Sequence, residues 1–168
     1  ADVEVESSST EEFKKCAEKL TELEIYGGLY SSSSKSDMLS NISSLLLRYR
    51  VDILNENKKI KVISSSQFFI YKSFFNKIGG FNEYMDSYED VDFFVRAQKI
   101  FDAKVLIFNK LNVCHLKEYS FKKLFFETVK KTFFFTKLRL CFRNYYKNVT
   151  TLIDWRIHIL PIPLILLL

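Results

Sequence analysis

The sequence predicts an α/β protein in which a mixed sheet is flanked by helices. Segments with the alternating or continuous hydrophobicity of strands recur between segments whose apolar residues have helical spacing, and this alternation is typical of an α/β sheet. The chain has 168 residues, of which 48% are hydrophobic and 27% are charged. This length is sufficient for one compact core and short for two, so we expect a single domain.

The predicted strands are short runs rich in β-branched and aromatic residues. They are Val3 to Glu6, Ile25 to Tyr30, Lys61 to Tyr71, Lys104 to Phe108 and Leu111 to His115. The second strand contains Gly27 and Gly28 and is followed by a serine tract that we interpret as a loop. Strands of this length, separated by helices, can pair into one sheet.

The predicted helices are bounded by recognisable start and stop signals. They run from Ser9 to about Leu23, from Met38 to Arg50, from Lys72 to Ile78, from the acidic cluster at Glu89 to near Asp102, and from Tyr119 to about Tyr146. Ser9-Thr10-Glu11-Glu12 has the pattern of a capping box. Gly79-Gly80 ends the third helix, and Asp102 can adopt a left-handed turn after the fourth.

Positive charge is concentrated near the C-terminus of the sequence. The net charge is +5, yet Lys117 to Lys147 alone contains nine Lys and Arg residues against two acids. Phenylalanines at helical spacing within this segment predict an amphipathic basic helix or helix pair with a buried aromatic face. Such a helix suits an anionic membrane. We expect no nucleic-acid binding, because buried rings form no stacking platform, and we keep binding of nucleic acid through the basic helices only as a weaker option. A solvated helix face packed on the domain is the alternative.

The final run, Ile157 to Leu168, is apolar except for His158 and two prolines. A bilayer crossing needs about 20 residues, so we expect this run to be the start of a truncated transmembrane segment. The first residue is Ala1 rather than Met, and we expect the sequence to be a fragment. Basic residues beside an apolar segment mark the cytoplasmic side of a membrane. We therefore expect a membrane-associated protein whose folded domain faces the cytosol.

The most informative motif is an ordered set of glycine, carboxylate, arginine and histidine residues. Gly79-Gly80-Phe81 is followed by Glu89-Asp90 and Asp92, then by Arg96 in the same helix, and later by His115 at the end of a strand. This set resembles the second half of the catalytic domain of family-2 glycosyltransferases, which have the GT-A fold. The sequence has no Gln-x-x-Arg-Trp motif of the kind found in processive polysaccharide synthases, so a processive polymerase is disfavoured.

The resemblance extends to the first residues and implies a metal site. Ala1-Asp2-Val3 resembles the end of the family's Asp-x-Asp motif, whose acids hold a divalent cation. The resemblance therefore implies Mg²⁺ or Mn²⁺ bound by Asp2, with His115 completing the shell, since these cations favour oxygen ligands. Taken alone, Asp2 would be a surface acid, and His115 would be a hydrogen-bonded core histidine.

The resemblance also implies roles for the acidic cluster. Asp90 would be the general base, and Glu89, Asp92, Gly79 and Gly80 would bind the acceptor. Glu89 and Asp90 diverge by about 100° on a helix, so only one of them can face a given substrate group. The alternative is that the acids only complement the positive end of the helix dipole. We expect Arg96 to be a structural partner of one of these acids.

The sequence is accordingly divided into a partial glycosyltransferase catalytic domain (1–116), a basic amphipathic segment (117–156) and the start of a transmembrane segment (157–168). The implied activity is inverting transfer of a sugar from a nucleotide-diphosphate donor to a hydroxyl of a lipid-linked or cell-surface glycan acceptor, as in the synthesis of cell-envelope polysaccharide. The donor-binding half is missing, so we expect the fragment itself to be inactive. The alternative function is a non-catalytic, membrane-peripheral interaction module.

Overall fold

A computed structural model describes residues 3–31, 38–55 and 60–141 and has an α/β fold with a four-stranded mixed sheet. The elements are β1 (Val3–Val5), a 3₁₀ turn (Ser7–Ser9), α1 (Thr10–Lys19), β2 (Glu24–Tyr30), α2 (Met38–Asn55), β3 (Phe68–Phe69), α3 (Lys72–Ile78), α4 (Glu89–Ile100), β4 (Lys104–His115) and α5 (Phe121–Cys141). The strand order is β1-β4-β2-β3, and only the central β4–β2 pair is parallel. The predicted class is confirmed.

Helices cover both faces of the sheet. Cys16 of α1 packs with Tyr26 and Leu111 on one face, whereas Ile25 and Val105 belong to the core under α3 and α4 on the other. Neighbouring strand residues point to opposite faces, which is why Ile25 and Tyr26 belong to different cores. Phenylalanine rings fill much of the α3–α4 side, with centroid separations from 5.1 to 6.2 Å. They belong to Phe68, Phe75, Phe81, Phe93 and Phe94.

The longest strand, β4, contains a bulge where the sequence predicted a break between two strands. Gly27 pairs with Ile107 and Leu29 pairs with Asn112, so residues 108–111 of β4 lie opposite Gly28 alone. A Cβ atom on Gly28 would overlap the Leu111 carbonyl oxygen. Only glycine therefore lets β2 pass so close to the bulge.

Ser9 does not form the predicted capping box. Its hydroxyl donates to the Lys110 carbonyl at 3.0 Å and accepts from the Asn112 N–H at 2.9 Å, and it makes no side-chain cap for α1. Ser9 has helical backbone angles because the 3₁₀ turn runs directly into α1. Its fully buried hydroxyl instead bonds the backbone of the β4 bulge.

The segment predicted as a strand from Lys61 to Tyr71 is mostly irregular, and only Phe68–Phe69 forms β3. The side-chain amide of Gln98 in α4 accepts from the Lys61 N–H at 2.9 Å and donates to its carbonyl at 2.7 Å. Lys61 thus obtains from a side chain the hydrogen bonds that a neighbouring strand would supply. Val62 and Ile63 are buried nonetheless, and Ile63 packs over Gly27.

The last described helix, α5, is less buried than its sequence predicts. Leu124 and Phe125 pack against Leu39 of α2, but Phe121, Val129 and Phe133 are exposed. The predicted burial of one aromatic face is wrong for Phe121, Val129 and Phe133, which are exposed. No helix within the described ranges is long and apolar enough to cross a bilayer. The predicted transmembrane start, 157–168, and residues 142–156 of the basic segment lie outside those ranges.

Candidate functional site

The acidic cluster lies in the first turn of α4, directly after a strained residue. Tyr88 has φ of 67° and ψ of 20°, a left-handed conformation that is rare for a large side chain. Glu89, Asp90 and Asp92 follow it, where the helix dipole favours negative charge. The Tyr88 hydroxyl donates to the Lys131 carbonyl of α5 at 3.3 Å. Backbone strain of this kind is concentrated at functional sites, where it directs particular side chains.

The glycine turn closes α3 as a Schellman motif. The Gly80 N–H donates to the Phe75 carbonyl at 3.1 Å, and the Gly79 N–H donates to the Asn76 carbonyl at 3.0 Å. Both glycines have positive φ, 92° at Gly79 and 64° at Gly80, which a residue with a Cβ adopts at a cost. The predicted helix stop is therefore confirmed, and it requires both glycines.

Arg96 ties this turn to α4. Its guanidinium donates to the Ile78 carbonyl, the Gly80 carbonyl and the Asp92 carboxylate, each at 2.7 Å. Both side chains of the Arg96–Asp92 pair are largely buried, and a buried charge of this kind needs a partner. The predicted structural role of Arg96 is confirmed. It fixes the position of α4 relative to the end of α3.

The central feature of the site is a cleft of about 300 Å³ at the start of α4. It contains Asp90 and Glu89 together with His115, so three of the residues predicted from the sequence meet in one place. The complete lining is Tyr30, Leu47, Ser64, Asp86, Ser87, Tyr88, Glu89, Asp90, His115, Lys117, Tyr119 and Lys131. Gly79 and Asp92, by contrast, line a separate depression of about 370 Å³ with Arg96. The structure therefore does not bring them to the cleft.

Asp90 has the most perturbed carboxyl group of the cleft. Its pKa is raised from the ordinary 3.8 to about 6. Burial is the larger cause, and the negative charge of Glu89 is the second. Hydrogen bonds from the backbone of Val91, Ser65 and Asp90 itself oppose the shift, and the Val91 N–H lies 2.8 Å from Oδ1. Protein atoms surround the carboxyl closely, although the residue as a whole is half-buried. Asp90 is thus suited to accept a proton near neutral pH.

A hydroxyl network supports the loop that contacts Asp90. The Tyr30 hydroxyl lies 2.8 Å from Ser64 Oγ and 2.5 Å from Ser66 Oγ, and the two serine hydroxyls are 2.9 Å apart. Ser65, which lies between them, contributes its backbone N–H to the Asp90 carboxyl. The network therefore positions one of the donors that lower the pKa of Asp90.

His115 lies at the end of β4 and is buried between two tyrosine rings. Its ring meets Tyr30 edge-on at a centroid distance of 5.5 Å and stacks on Tyr119 at 6.1 Å. In the β1–β4 ladder, Val3 pairs with His115. Asp2, the residue before Val3, lies outside the described residues. The start of β1 therefore lies at the same end of the sheet as the cleft.

A complete cation site is not formed by the residues that the structure describes. Across 3–31, 38–55 and 60–141, no three His, Cys, Asp or Glu side chains are grouped so that they could hold a metal ion. His115 is the one predicted ligand within these ranges, and it supplies a single nitrogen. A metal at this cleft would depend on further oxygen ligands, such as Asp2.

Comparisons with protein-family models, with curated proteins and with solved structures found no match. The geometry and chemistry of the cleft therefore carry the functional argument.

Several residues of the cleft were not predicted from the sequence. Asp86 lies four residues before Asp90 in the same acidic stretch, and Lys117 and Lys131 belong to the basic segment. The composition of these stretches indicated their charge, but it did not indicate which residues line the cleft. Tyr30 and Ser64 come from distant parts of the chain and carry no local signal. They meet the acidic cluster only because β2 and the irregular segment after residue 60 converge beside α4.

Proposed function

We propose that this chain belongs to an inverting glycosyltransferase of the GT-A type, similar to family 2, and contributes the acceptor side of its active site. The enzyme moves a sugar from a nucleotide-diphosphate donor to a hydroxyl of a lipid-linked or cell-surface glycan acceptor. The observation that carries the proposal is the Asp90 carboxyl, with its pKa raised to about 6, in the same cleft as Glu89 and His115.

In this mechanism Asp90 is the general base. The acceptor oxygen attacks the anomeric carbon of the donor sugar from one side while the bond to the diphosphate breaks on the other, and the configuration inverts. The acceptor proton is transferred to the Asp90 carboxylate. A base with a pKa near 6 is mostly ionised at neutral pH and still accepts a proton readily, a contribution of typically 10²- to 10⁴-fold in rate.

The neighbouring residues orient the acceptor and the base. Glu89 diverges from Asp90 on the helix surface and is proposed to bind acceptor hydroxyls at the mouth of the cleft. The roles of Gly79, Gly80 and Asp92 are revised from acceptor binding to positioning, because all three contribute to the Arg96 contacts or the Schellman turn. Their effect on catalysis would be exerted through the placement of α4.

A divalent cation, Mg²⁺ or Mn²⁺, is part of the proposal through Asp2 and His115. These two residues would hold the cation, which would supply positive charge to the departing diphosphate. The pairing of Val3 with His115 supports this assignment, because it brings the backbone next to Asp2 to the histidine at the cleft.

Membrane association is proposed to involve the outer face of α5, with the folded domain on the cytosolic side. Four apolar residues on this helix, Phe126, Val129, Phe133 and Leu140, are between 42% and 75% exposed. Their intervals of three, four and seven residues place them along one face. Exposed lysines flank this apolar stripe. An anionic bilayer surface complements both features, because it accepts apolar side chains and attracts cations.

The same stripe favours a second candidate function, a membrane-peripheral module without catalysis. In that case the acids of α4 would only complement the helix dipole. The two functions differ in what Asp90 does.

The test is a transfer assay on the Asp90→Asn variant of the full-length protein. We expect transfer to be abolished while calorimetric titration with nucleotide-sugars gives nearly unchanged donor affinity, because only the proton acceptor is removed. Asp86→Asn is the matched control, since Asp86 lines the same cleft but is exposed. Turnover of Asp90→Asn equal to that of Asp86→Asn would remove Asp90 as the base and favour the non-catalytic module.

A further inference from the structure

Three side-chain hydroxyls form a closed triangle beside the cleft. Tyr30 ends β2, whereas Ser64 and Ser66 belong to the irregular segment after residue 60. The Tyr30 oxygen lies 2.8 Å from Ser64 Oγ and 2.5 Å from Ser66 Oγ, and the two serine oxygens are 2.9 Å apart. Each oxygen is therefore within hydrogen-bond distance of both others. We call these three oxygens the hydroxyl triangle. Two of its members, Tyr30 and Ser64, line the cleft that contains Asp90.

The number of protons in the triangle decides what it can offer to a ligand. A hydroxyl has one proton to donate and two lone pairs that accept. Three protons fill the three sides of the triangle, so every hydroxyl donates once and accepts once, whichever way round the protons point. One lone pair is then left on each oxygen. The lone pair of Ser64 faces the Ser66 N–H at 3.5 Å. Of the two members that line the cleft, Tyr30 is therefore the one that keeps an acceptor.

The groups next to the triangle are acceptors as well. Ser65, between the two serines, gives its backbone N–H to the Asp90 carboxyl. Consecutive Cα atoms are about 3.8 Å apart, so adjacent residues of one loop contact the carboxyl and form the triangle. Glu89 lines the same cleft, and an ionised carboxylate accepts hydrogen bonds without donating any. The two lysines of the cleft are ion-paired with Glu127. This part of the cleft thus matches a ligand with more than one O–H group.

We propose that Tyr30 is a specificity-determining residue whose oxygen accepts a hydrogen bond from a second hydroxyl of the acceptor, beside the hydroxyl that faces Asp90. The proposal rests on the proposed function and narrows its acceptor to a sugar with neighbouring hydroxyls. A polyprenyl phosphate would present ionised oxygens, which accept, and would leave Tyr30 without a donor. Tyr30 is 4% exposed, so little water competes for the bond, and a hydrogen bond in such surroundings is strengthened.

The first experiment uses sugars as probes of the detergent-solubilised chain. Methyl glycosides of glucose, galactose and mannose are titrated by saturation-transfer NMR, and the one that binds is compared with its monodeoxy and monofluoro derivatives. Fluorine occupies the place of a hydroxyl but cannot donate a hydrogen bond. We expect one position of the sugar at which the deoxy and the fluoro derivatives both bind about tenfold more weakly, because the Tyr30 oxygen is then left without its donor.

Tyr30→Phe identifies the protein partner of that hydroxyl. This variant should bind the parent glycoside about tenfold more weakly, and it should bind the two derivatives as well as the parent, because the same bond is already lost. Tyr119→Phe is the matched control. The Tyr119 ring lines the same cleft and stacks on His115, but its hydroxyl donates to Glu127 at 3.5 Å and lies outside the triangle. We expect this control to discriminate between the glycosides as the wild type does.

Ser66→Ala guards against misfolding as the cause of a loss. Ser66 is exposed, and removing its hydroxyl opens the triangle. Two hydroxyls then share one side, so Ser64 can donate to Tyr30 and Tyr30 can donate into the cleft. We expect binding of the fluoro derivative to improve about threefold while that of the deoxy derivative does not improve. A misfolded protein would not show this gain.

Three outcomes would overturn the proposal. They are binding of polyprenyl phosphate micelles with no binding of any of the three glycosides, equal discrimination by the wild type and Tyr30→Phe, and an equal loss of discrimination in Tyr30→Phe and Tyr119→Phe. None of these measurements involves transfer. If Asp90→Asn abolishes transfer while Tyr30→Phe discriminates normally, the general base stands and the role of Tyr30 is rejected. The reverse pair of results would reject the base alone.

Discussion

At the scale of single residues, the ionised carboxylate of Asp90 lowers the free energy of unfolding of the protein. The helix dipole favours its negative charge, but burial and the adjacent Glu89 charge oppose ionisation more strongly, so the pKa is raised. Because the folded-state pKa lies above the unfolded one, the folded chain binds more protons between about pH 4 and pH 6. Ionisation of Asp90 therefore destabilises the protein above about pH 6, and the destabilisation disappears below about pH 4.

The corresponding prediction concerns stability and needs no substrate. Asp90→Asn removes the buried charge and keeps an oxygen for the Val91 N–H, so it should raise the free energy of unfolding by up to about 3 kcal/mol at pH 8. The gain should vanish near pH 4, where the wild-type carboxyl is protonated. Urea unfolding at both pH values measures the difference. Asp86→Asn, at an exposed position, should give little change at either pH, and an equal gain in the two variants would contradict the assignment.

At the scale of secondary-structure elements, the parallel β2–β4 pair is shaped by one glycine. Gly28 passes the β4 bulge so closely that a Cβ would overlap backbone atoms of Leu111, whereas the three atoms nearest to a Cβ on Gly27 all belong to the Ile63 side chain. A backbone carbonyl cannot move without disturbing the strand, but a side chain can change rotamer or be shortened. The two adjacent glycines are therefore needed for different reasons.

This difference is measurable. Gly28→Ala should lower the free energy of unfolding by about 3 kcal/mol, the upper range for an overpacked core, and Gly27→Ala should lower it by less. Shortening the obstructing side chain with Ile63→Val should recover part of the loss in Gly27→Ala. Leu111→Val should recover none in Gly28→Ala, because the carbonyl oxygen remains. Thermal and urea unfolding of the four variants test this, and rescue of both glycine variants would show that no backbone contact is involved.

At the scale of the whole molecule, α5 connects the cleft with the surface. Through Lys131 it lines the cleft, and through Leu124 it packs on α2, while its apolar stripe of Phe126, Val129, Phe133 and Leu140 faces outward. A bilayer that covers this stripe would lie one helix diameter, about 10 Å, from the cleft. Under the proposed function, that distance would suit an acceptor whose lipid stays in the membrane while its polar head reaches Asp90.

We therefore predict that anionic vesicles slow hydrogen exchange in peptides that cover α5. Each phenylalanine transferred into the lipid contributes about 1.5 to 3 kcal/mol, and each nearby lysine adds about 1 kcal/mol. The double variant Phe126→Ser/Phe133→Ser should lose most of the added protection, and raised salt should weaken it. Tyr84→Ser is the control, because Tyr84 is 99% exposed but lies in the α3–α4 connection. Equal protection in both variants would exclude the stripe as the docking face.

The sequence by itself determined the features that are encoded by neighbouring residues. The end of α3 at Gly79-Gly80, the acidic start of α4 and the left-handed Asp102, with φ of 53°, follow from local rules of helix termination and charge, and the structure confirms all three. The alternation of helices and strands was likewise sufficient to predict a mixed α/β sheet.

Only the tertiary structure decided which distant groups meet. Ser9 bonds the β4 bulge instead of its own helix, and Gln98 replaces a strand partner for Lys61. The sequence pattern of α5 could not reveal that Leu124 is buried with Leu39 of α2 while Val129 and Phe133 are exposed. In each case the deciding contact is made across the fold, and hydrophobic periodicity and capping rules describe only residues within a few positions of one another.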